Sequence, residues 1–428
     1  MLKLDGNVWQ QISSQPTMKL HKKIWKKLGP GIITGASDDD PSGIATYSQA
    51  GAQFGLATLW TALITFPLMA NIQEMCARIG MVTGAGLTST LKAHYPKAIL
   101  YLMLVFSFPA IILNIGADIA GMGAVANLLF PQVDESYFCV LFTALLLILI
   151  ILLPYQKIAS ILRYLCIVLL VYLLVPFFVQ QDYWDILLST LVPTIRFDRD
   201  FITILVAILG TTISPYLFFW QATMEVEEFK HRKRHLVVNK NLIYEMGKDV
   251  NLGMFLSNLV MWFIIITAGS VLFGGGIHQI STVEQAASAL RPLAGNYAYW
   301  LFSIGVIGTG LLAIPVLSGS LSYIVCETFG WKEGLDNKFH EAKSFYIIII
   351  VSLLVGLSLT YLGITPVRAL IYAALLYGLT APVLIAIILH ISNNKKIMGK
   401  FTNSTVSNVL GILTLVLMTA ATLLMFLF

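Results

Sequence analysis

The sequence predicts an all-α polytopic membrane protein: about eleven transmembrane helices, arranged as two inverted repeats of five with one helix added. Three observations carry that expectation. Hydrophobic residues make up 57% of the 428 positions and charged residues only 11%. No soluble globular domain has that balance, whereas a chain of repeated apolar stretches of about 20 residues does. Lysine and arginine collect in alternate connections. Two of the apolar stretches are interrupted, at matching positions, by a proline among small polar residues.

The spans follow in order. The first covers 29–54 and is broken at "SDDDPSG"; the next four cover 57–78, 98–129, 136–154 and 158–180. The sixth covers 200–226 and is broken near "TTISPY"; the rest cover 249–274, 296–326, 343–363, 366–391 and 406–428. With the N-terminus inside, the cytoplasmic connections hold Arg78, Lys92 and Lys97, then Lys157 and Arg163, then "KHRKRH", then Lys332, Lys338 and Lys343, then Lys395, Lys396 and Lys400. The opposite connections, such as "PQVDESY" and "VQQDYWD", are acidic or poor in lysine. This alternation predicts a multi-pass protein of the plasma (inner) membrane with a cytoplasmic N-terminus and an extracellular C-terminus. It also accounts for the net charge of +5, so no nucleic-acid partner is expected, and no obligate protein partner is evident.

Residues 1–28 form a basic tail ending in "KLHKKIWKK", with no apolar core and cleavage site of the signal-peptide kind. Residues 29–428 form one transmembrane unit: a first repeat over 29–180, a second over 200–391 and an additional helix over 406–428. The segment "EFKHRKRHLVVNKNLIYEMGKD" is expected to be an amphipathic cytoplasmic connector. Cys76, Cys139, Cys166 and Cys326 are scattered without CxxC spacing and are expected to be small buried hydrophobes.

The two breaks are the strongest functional signal. Pro41 and Pro215 lack an N–H and obstruct the preceding helical turn, so backbone bonding fails locally. In lipid the freed carbonyls must find partners, and a cation is such a partner. Five is odd, so the halves begin on opposite sides of the membrane and the breaks meet near mid-depth. Ionisable residues at that depth are few: Asp38, Asp39, Asp40 and Asp118. Carboxylates in hydrocarbon cost at least a few kcal/mol each unless a cation, a proton or water offsets them. The other donors near the breaks are oxygens: Ser37, Ser42, Thr211, Thr212 and Ser214, with no histidine or cysteine. Hard donors suit Mg²⁺, Ca²⁺ or Mn²⁺. Consecutive helical residues project about 100° apart, so the three aspartates cannot all be ligands. Asp40, beside the proline, is the expected ligand; Asp39 is expected at the metal site too, lining the vestibule or backing the ligands, and Asp38 is expected to be a helix-end or packing carboxylate.

The stretch "GPGIITGASDDDPSGIATYSQAGAQFGLATLW" resembles the first helix of the NRAMP family of divalent-metal transporters, whose hallmark is Asp-Pro-Gly-Asn before an "AGAQFG"-like run. Where that family carries Ala-x-x-Met-Pro-His in its sixth helix, this chain has "TTISPY". The resemblance implies a LeuT-type 5+5 inverted repeat with helices 1 and 6 broken. Residue by residue, it places Asp40 on the metal-binding aspartate, Gly43 on the metal-binding asparagine, Ser214 on the methionine and Thr211 on the alanine whose carbonyl binds metal. Tyr216 and Gln221 fall on two histidines. Asp118 falls on an aspartate of the proton route, but the acidic residue three further on is Gly121.

These departures resemble the NRAMP-related magnesium transporters. A methionine thioether selects softer metals, and its loss removes that selection. Glycine in place of asparagine enlarges the site, which suits Mg²⁺ that keeps its waters. The expectation is therefore a secondary transporter importing hydrated Mg²⁺, and also Mn²⁺, by alternating access without strong proton coupling. It has no enzymatic activity and no cofactor beyond the transported ion. The alternative is a proton-coupled Mn²⁺/Fe²⁺ transporter of the main family type, and a sodium-coupled organic-solute carrier is the rival of another class.

Overall fold

The computed structural model of the chain describes residues 29–153, 174–179, 182–231, 238–335 and 337–427. The basic tail, nearly all of the fifth expected span, Cys166 and most of "KHRKRH" lie outside the described residues. The first span is split into α1 (Pro30–Asp38) and α2 (Pro41–Phe54), and α3 (Trp60–Thr83) is the second. A short helix, α4 (Leu87–His94), leads into α5 (Lys97–Leu129), followed by α6 (Glu135–Leu152). Beyond α7 (Tyr183–Leu191) the sixth span is split in turn, into α8 (Arg199–Thr212) and α9 (Pro215–His231). Then come α10 (Lys240–Ala268), α11 (Val283–Ser288), α12 (Ala298–Phe329), α13 (Lys343–Leu359), α14 (Pro366–Asn393) and α15 (Thr405–Leu427). No strand occurs among the described residues.

The breaks fall where the prolines predict, and the local reason is visible. Each proline is the first residue of the second half-helix, where its missing N–H is no loss. Asp39, at φ −82° and ψ 56°, leaves the helical region at the end of α1. Asp40 is extended and caps α2, its Oδ1 accepting from Gly43 N at 2.7 Å.

Eight helices among the described residues are long and apolar enough to cross a membrane by length and composition. The expected eleven differ for physical reasons. The halves of the first span are each too short, the fifth span is not described, and α3 carries Asn71, Gln73, Glu74 and Arg78, which lower its hydropathy. The seventh span is a correction. It starts at Lys240, nine residues before the expected 249, because Leu242, Ile243, Met246 and Val250 continue an apolar stripe that packs on the core. Asn239 caps it, its side chain accepting from Leu242 N at 2.9 Å. At the other end the helix widens into a π-type turn over Gly269–Phe273. The connector between α9 and α10 is correspondingly short, since α9 already reaches His231. Cys76, Cys139 and Cys326 are buried and unbridged.

Small residues let the half-helices approach their neighbours. α1 packs on α10 and α8 on α14. A Cβ built on Gly35 would lie 2.8 Å from Gly253 Cα, and one on Gly210 would lie 2.8 Å from Gly378 Cα. Without a hydrophobic driving force between helices in lipid, such close backbone contact supplies much of the packing. Farther along the α1–α10 seam, Asp249 accepts from Gly29 N at 3.0 Å and from Gly31 N at 2.7 Å, capping α1 at its outset.

Gly35→Val places a branched side chain against the Gly253 backbone, which cannot give way. Destabilisation of about 1–3 kcal/mol or more is expected, measured as a lower thermal midpoint in detergent. Gly247→Ala is the control. Its Cβ would meet the Glu74 carboxylate carbon at 3.6 Å, an ordinary contact, and it should melt like the parent.

Candidate functional site

The two breaks face each other. A Cβ built on Gly43 would lie 3.4 Å from Thr211 Oγ1 and 3.5 Å from the Asp38 carbonyl oxygen, so this glycine stands between the end of α1 and the end of α8. Cross-bonds hold that meeting point. Tyr47 of α2 reaches Thr212 Oγ1 at 3.0 Å, and Thr212 donates to Met261 Sδ at 3.6 Å. Tyr216 of α9 donates to the Ser37 carbonyl at 2.9 Å, giving a terminal carbonyl of α1 a partner. The Ser214 hydroxyl donates to the Thr211 carbonyl. Asp38, Asp39, Asp40, Thr211, Thr212 and Ser214 are all buried.

The predicted residues take up distinct places. Asp40 Oδ2 accepts from Asn114 Nδ2 on α5 at 2.9 Å, while its Oδ1 serves the cap, so the carboxylate is held rigidly at the head of α2. Gly43 lies in the first turn of α2, where its carbonyl belongs to the helical ladder; what it contributes is room. The Thr211 carbonyl, in the last turn of α8, has no helical partner and one lone pair left after Ser214. Asp39 and Asp38 point elsewhere: Ser257 Oγ of α10 lies 3.3 Å from Asp39 Oδ1 and 2.7 Å from Asp38 Oδ2. Among the described residues no three His, Cys, Asp or Glu side chains converge on one point.

Asp118 lies one turn beyond Asn114 on the same face of α5, fully buried, with neither carboxylate oxygen hydrogen-bonded. It is close enough to Asp40 for the two to repel. Ser42 Oγ and Asn114 Oδ1, also buried, lack hydrogen-bond partners too. Tyr216 stacks obliquely on Tyr377 at 5.6 Å between centroids. Gln221 is one turn deeper along α9, donating to Glu225 Oε1 at 2.9 Å and so apart from the crossing. Glu74 and Arg78 lie 4.0 Å apart, as their spacing predicts, and Arg78 also bonds Asn403.

Sequence reasoning missed two partners. Asn114 is legible in part, since it lies four residues before Asp118 on the same helix. Ser257 carries no local signal, since only the packing of α10 on α1 brings it to the aspartates.

A cavity of ≈ 510 Å³ lies where α2 ends and α8 begins, lined among others by Gln49, Gln53, Asp200, His278 and Arg368. A second, apolar cavity of ≈ 20 Å³ borders Pro41 and Ile44. Ile280 and Val367 line both and separate them. Ile280 is held there by its amide, which donates to Gln49 Oε1 at 2.9 Å.

The chain has known relatives. The family model described as natural resistance-associated macrophage protein-like (Nramp) matches residues 31–428. A divalent metal cation transporter MntH of Caldanaerobacter subterraneus subsp. tengcongensis is 23% identical over 414 residues, covering 94% of each chain. Its counterpart in Staphylococcus saprophyticus is 24% identical over 407 residues, covering 92% of this chain and 90% of the relative. Among solved structures, the Eremococcus coleocola manganese transporter aligns with a TM-score of 0.74 at 18% identity, over 96% of this chain and 88% of that one. Mhp1, a nucleobase-cation-symport-1 family transporter in a closed conformation, aligns with a TM-score of 0.54 at 13% identity, over 93% and 92%. The shared fold is the LeuT-type arrangement of broken helices.

Removing the Asn114 amide leaves Asp40 Oδ2 buried without its donor. Asn114→Ala is therefore expected to lose about 1–3 kcal/mol of stability, read as a lower thermal midpoint. Tyr216→Phe removes a neutral donor and should cost less, about 0.5–1.5 kcal/mol in the same measurement.

Proposed function

The chain belongs to the Nramp family, and from that premise we propose that it is a secondary transporter importing divalent metal cations, most readily hydrated Mg²⁺ and also Mn²⁺. One observation carries this reading. The crossing of the two broken helices presents a fixed carboxylate, hydroxyls and a terminal carbonyl, with a glycine where a side chain would narrow it.

Asp40 supplies the principal charge. The Thr211 carbonyl and the Ser214 hydroxyl are the opposing oxygens, Gly43 leaves space for retained water, and Asp39 turns aside to Ser257 on α10. All these donors are hard, and Mg²⁺ takes one or two carboxylates while keeping several waters. The thioether of Met261 lies to one side, engaged by Thr212. Nothing in this arrangement performs covalent chemistry, so the protein is read as a carrier and not an enzyme. The substrate is the metal ion itself. With the N-terminus in the cytoplasm and the C-terminus outside, the ≈ 510 Å³ cavity is the external approach and α1 the inner gate. Entry needs no coupled proton, because the interior-negative potential favours it by roughly 2.3 kcal/mol per charge per 100 mV.

A second reading, proton-coupled Mn²⁺/Fe²⁺ transport, draws on Asp118, buried beside Asp40 without a hydrogen bond. The names of the relatives, divalent metal and manganese transporters, fit either reading. Tyr216 and Gln221 disfavour the second, since both are committed to neighbours and neither titrates near neutral pH.

Reconstituted in liposomes with a pH reporter inside, the protein should take up Mg²⁺, with Mn²⁺ competing and internal pH unchanged. Uptake of neither ion sinks the proposal, and internal acidification in step with uptake favours the second reading. Asp40→Ala should reduce uptake by at least roughly tenfold, equivalent to about 1.4 kcal/mol. Gly43→Asn, whose Cβ would meet Thr211 Oγ1 and Tyr47 Cε2 at 3.4 Å, should fold but lower Mg²⁺ uptake more than Mn²⁺ uptake.

A further inference from the structure

Asp40 is held by donors of its own, a backbone amide and an asparagine. Asp38 and Asp39 are not so provided. Their carboxylates turn to α10 and share one hydroxyl, Ser257, at 2.7 and 3.3 Å. A serine hydroxyl has a single hydrogen, so it satisfies only one of them. The other oxygen of Asp38 is fully buried with no hydrogen-bond partner. The Ser214 hydroxyl lies beside the Asp38 carboxylate, but its hydrogen goes to the Thr211 carbonyl. Asp38 and Asp39 make no ion pair with any described lysine, arginine or histidine. Both sit at the C-terminal end of α1, where the helix itself adds partial negative charge. Buried carboxylates are paired or coordinate a metal, and this pair has no described cation beside it.

We propose that Asp38, Asp39, Ser257 and Ser214 form a second seat for a divalent cation, inward of the Asp40 seat. It rests on the transport reading above. The donors are all oxygens, two of them ionised, which is the set a hard divalent ion takes. Ser214 borders both seats. The Asp38 carbonyl faces the Gly43 space while its carboxylate faces α10, so one residue spans the two. An ion released from Asp40 thus moves toward a pair of carboxylates on α1, the half-helix that closes the inner side.

The test counts Mn²⁺ bound to the purified full-length protein in detergent, from the loss of the free-ion paramagnetic resonance signal. Two ions per chain are expected for the parent, and one each for the Asp38→Asn/Asp39→Asn double variant and for Asp40→Asn. Ser257→Ala keeps both carboxylates and should weaken the second ion at least threefold. One ion in the parent, lost with Asp40→Asn and kept by the double variant, overturns the second seat and leaves the transport reading standing. Two ions that both survive the double variant overturn it as well. No ion in the parent ends both readings. If the double variant does not fold, Ser257→Ala decides, and an unchanged second affinity counts against the seat.

Discussion

Everything in this molecule follows from one constraint: within lipid, every backbone polar group and every charge must find its partner inside the protein. A continuous helix meets that constraint by itself. A broken one does not, and this chain breaks two. The partners it then recruits define the site. The Ser37 carbonyl takes Tyr216, the Thr211 carbonyl takes Ser214, the Gly43 amide takes Asp40, and Asp40 takes Asn114. In three of these the second group comes from the break itself or from the other broken helix. The crossing is thus a structural necessity before it is a binding site, and the oxygens left over after mutual satisfaction are the ones free for a cation.

That logic also explains how much the sequence disclosed. The breaks were legible because their causes are local: a proline, small residues and carboxylates within a few positions. The alternation of basic connections is likewise a property of neighbours along the chain. Contacts between helices were not legible. Ser257 stands 218 residues from Asp39, and no pattern around it marks it as different from other serines of an apolar helix. Asn114 is intermediate, since helical spacing ties it to Asp118 while only the fold ties it to Asp40. The start of α10 was misplaced for a related reason. Polar residues 240–249 look like a loop by hydropathy, whereas the stripe of Leu242, Ile243, Met246 and Val250 is an amphipathic signal that mean hydropathy averages away.

The same balance bears on how α1 is held. The half-helix α1 is tied down at its first residues by one carboxylate, Asp249, and near its end by one phenol, Tyr216. Between those ties it lies against α10 through Gly31 and Gly35, which meet the backbone of Val250 and Gly253. Where α2 ends and α8 begins, Ile280, held by its amide to Gln49, and Val367 stand between the two cavities. A buried hydrogen bond of that neutral kind contributes only about 0.5–1.5 kcal/mol. A separation of α1 from α10 would part Asp38 and Asp39 from Ser257. A displacement of α1 against α10 is therefore coupled to the surroundings of these two carboxylates.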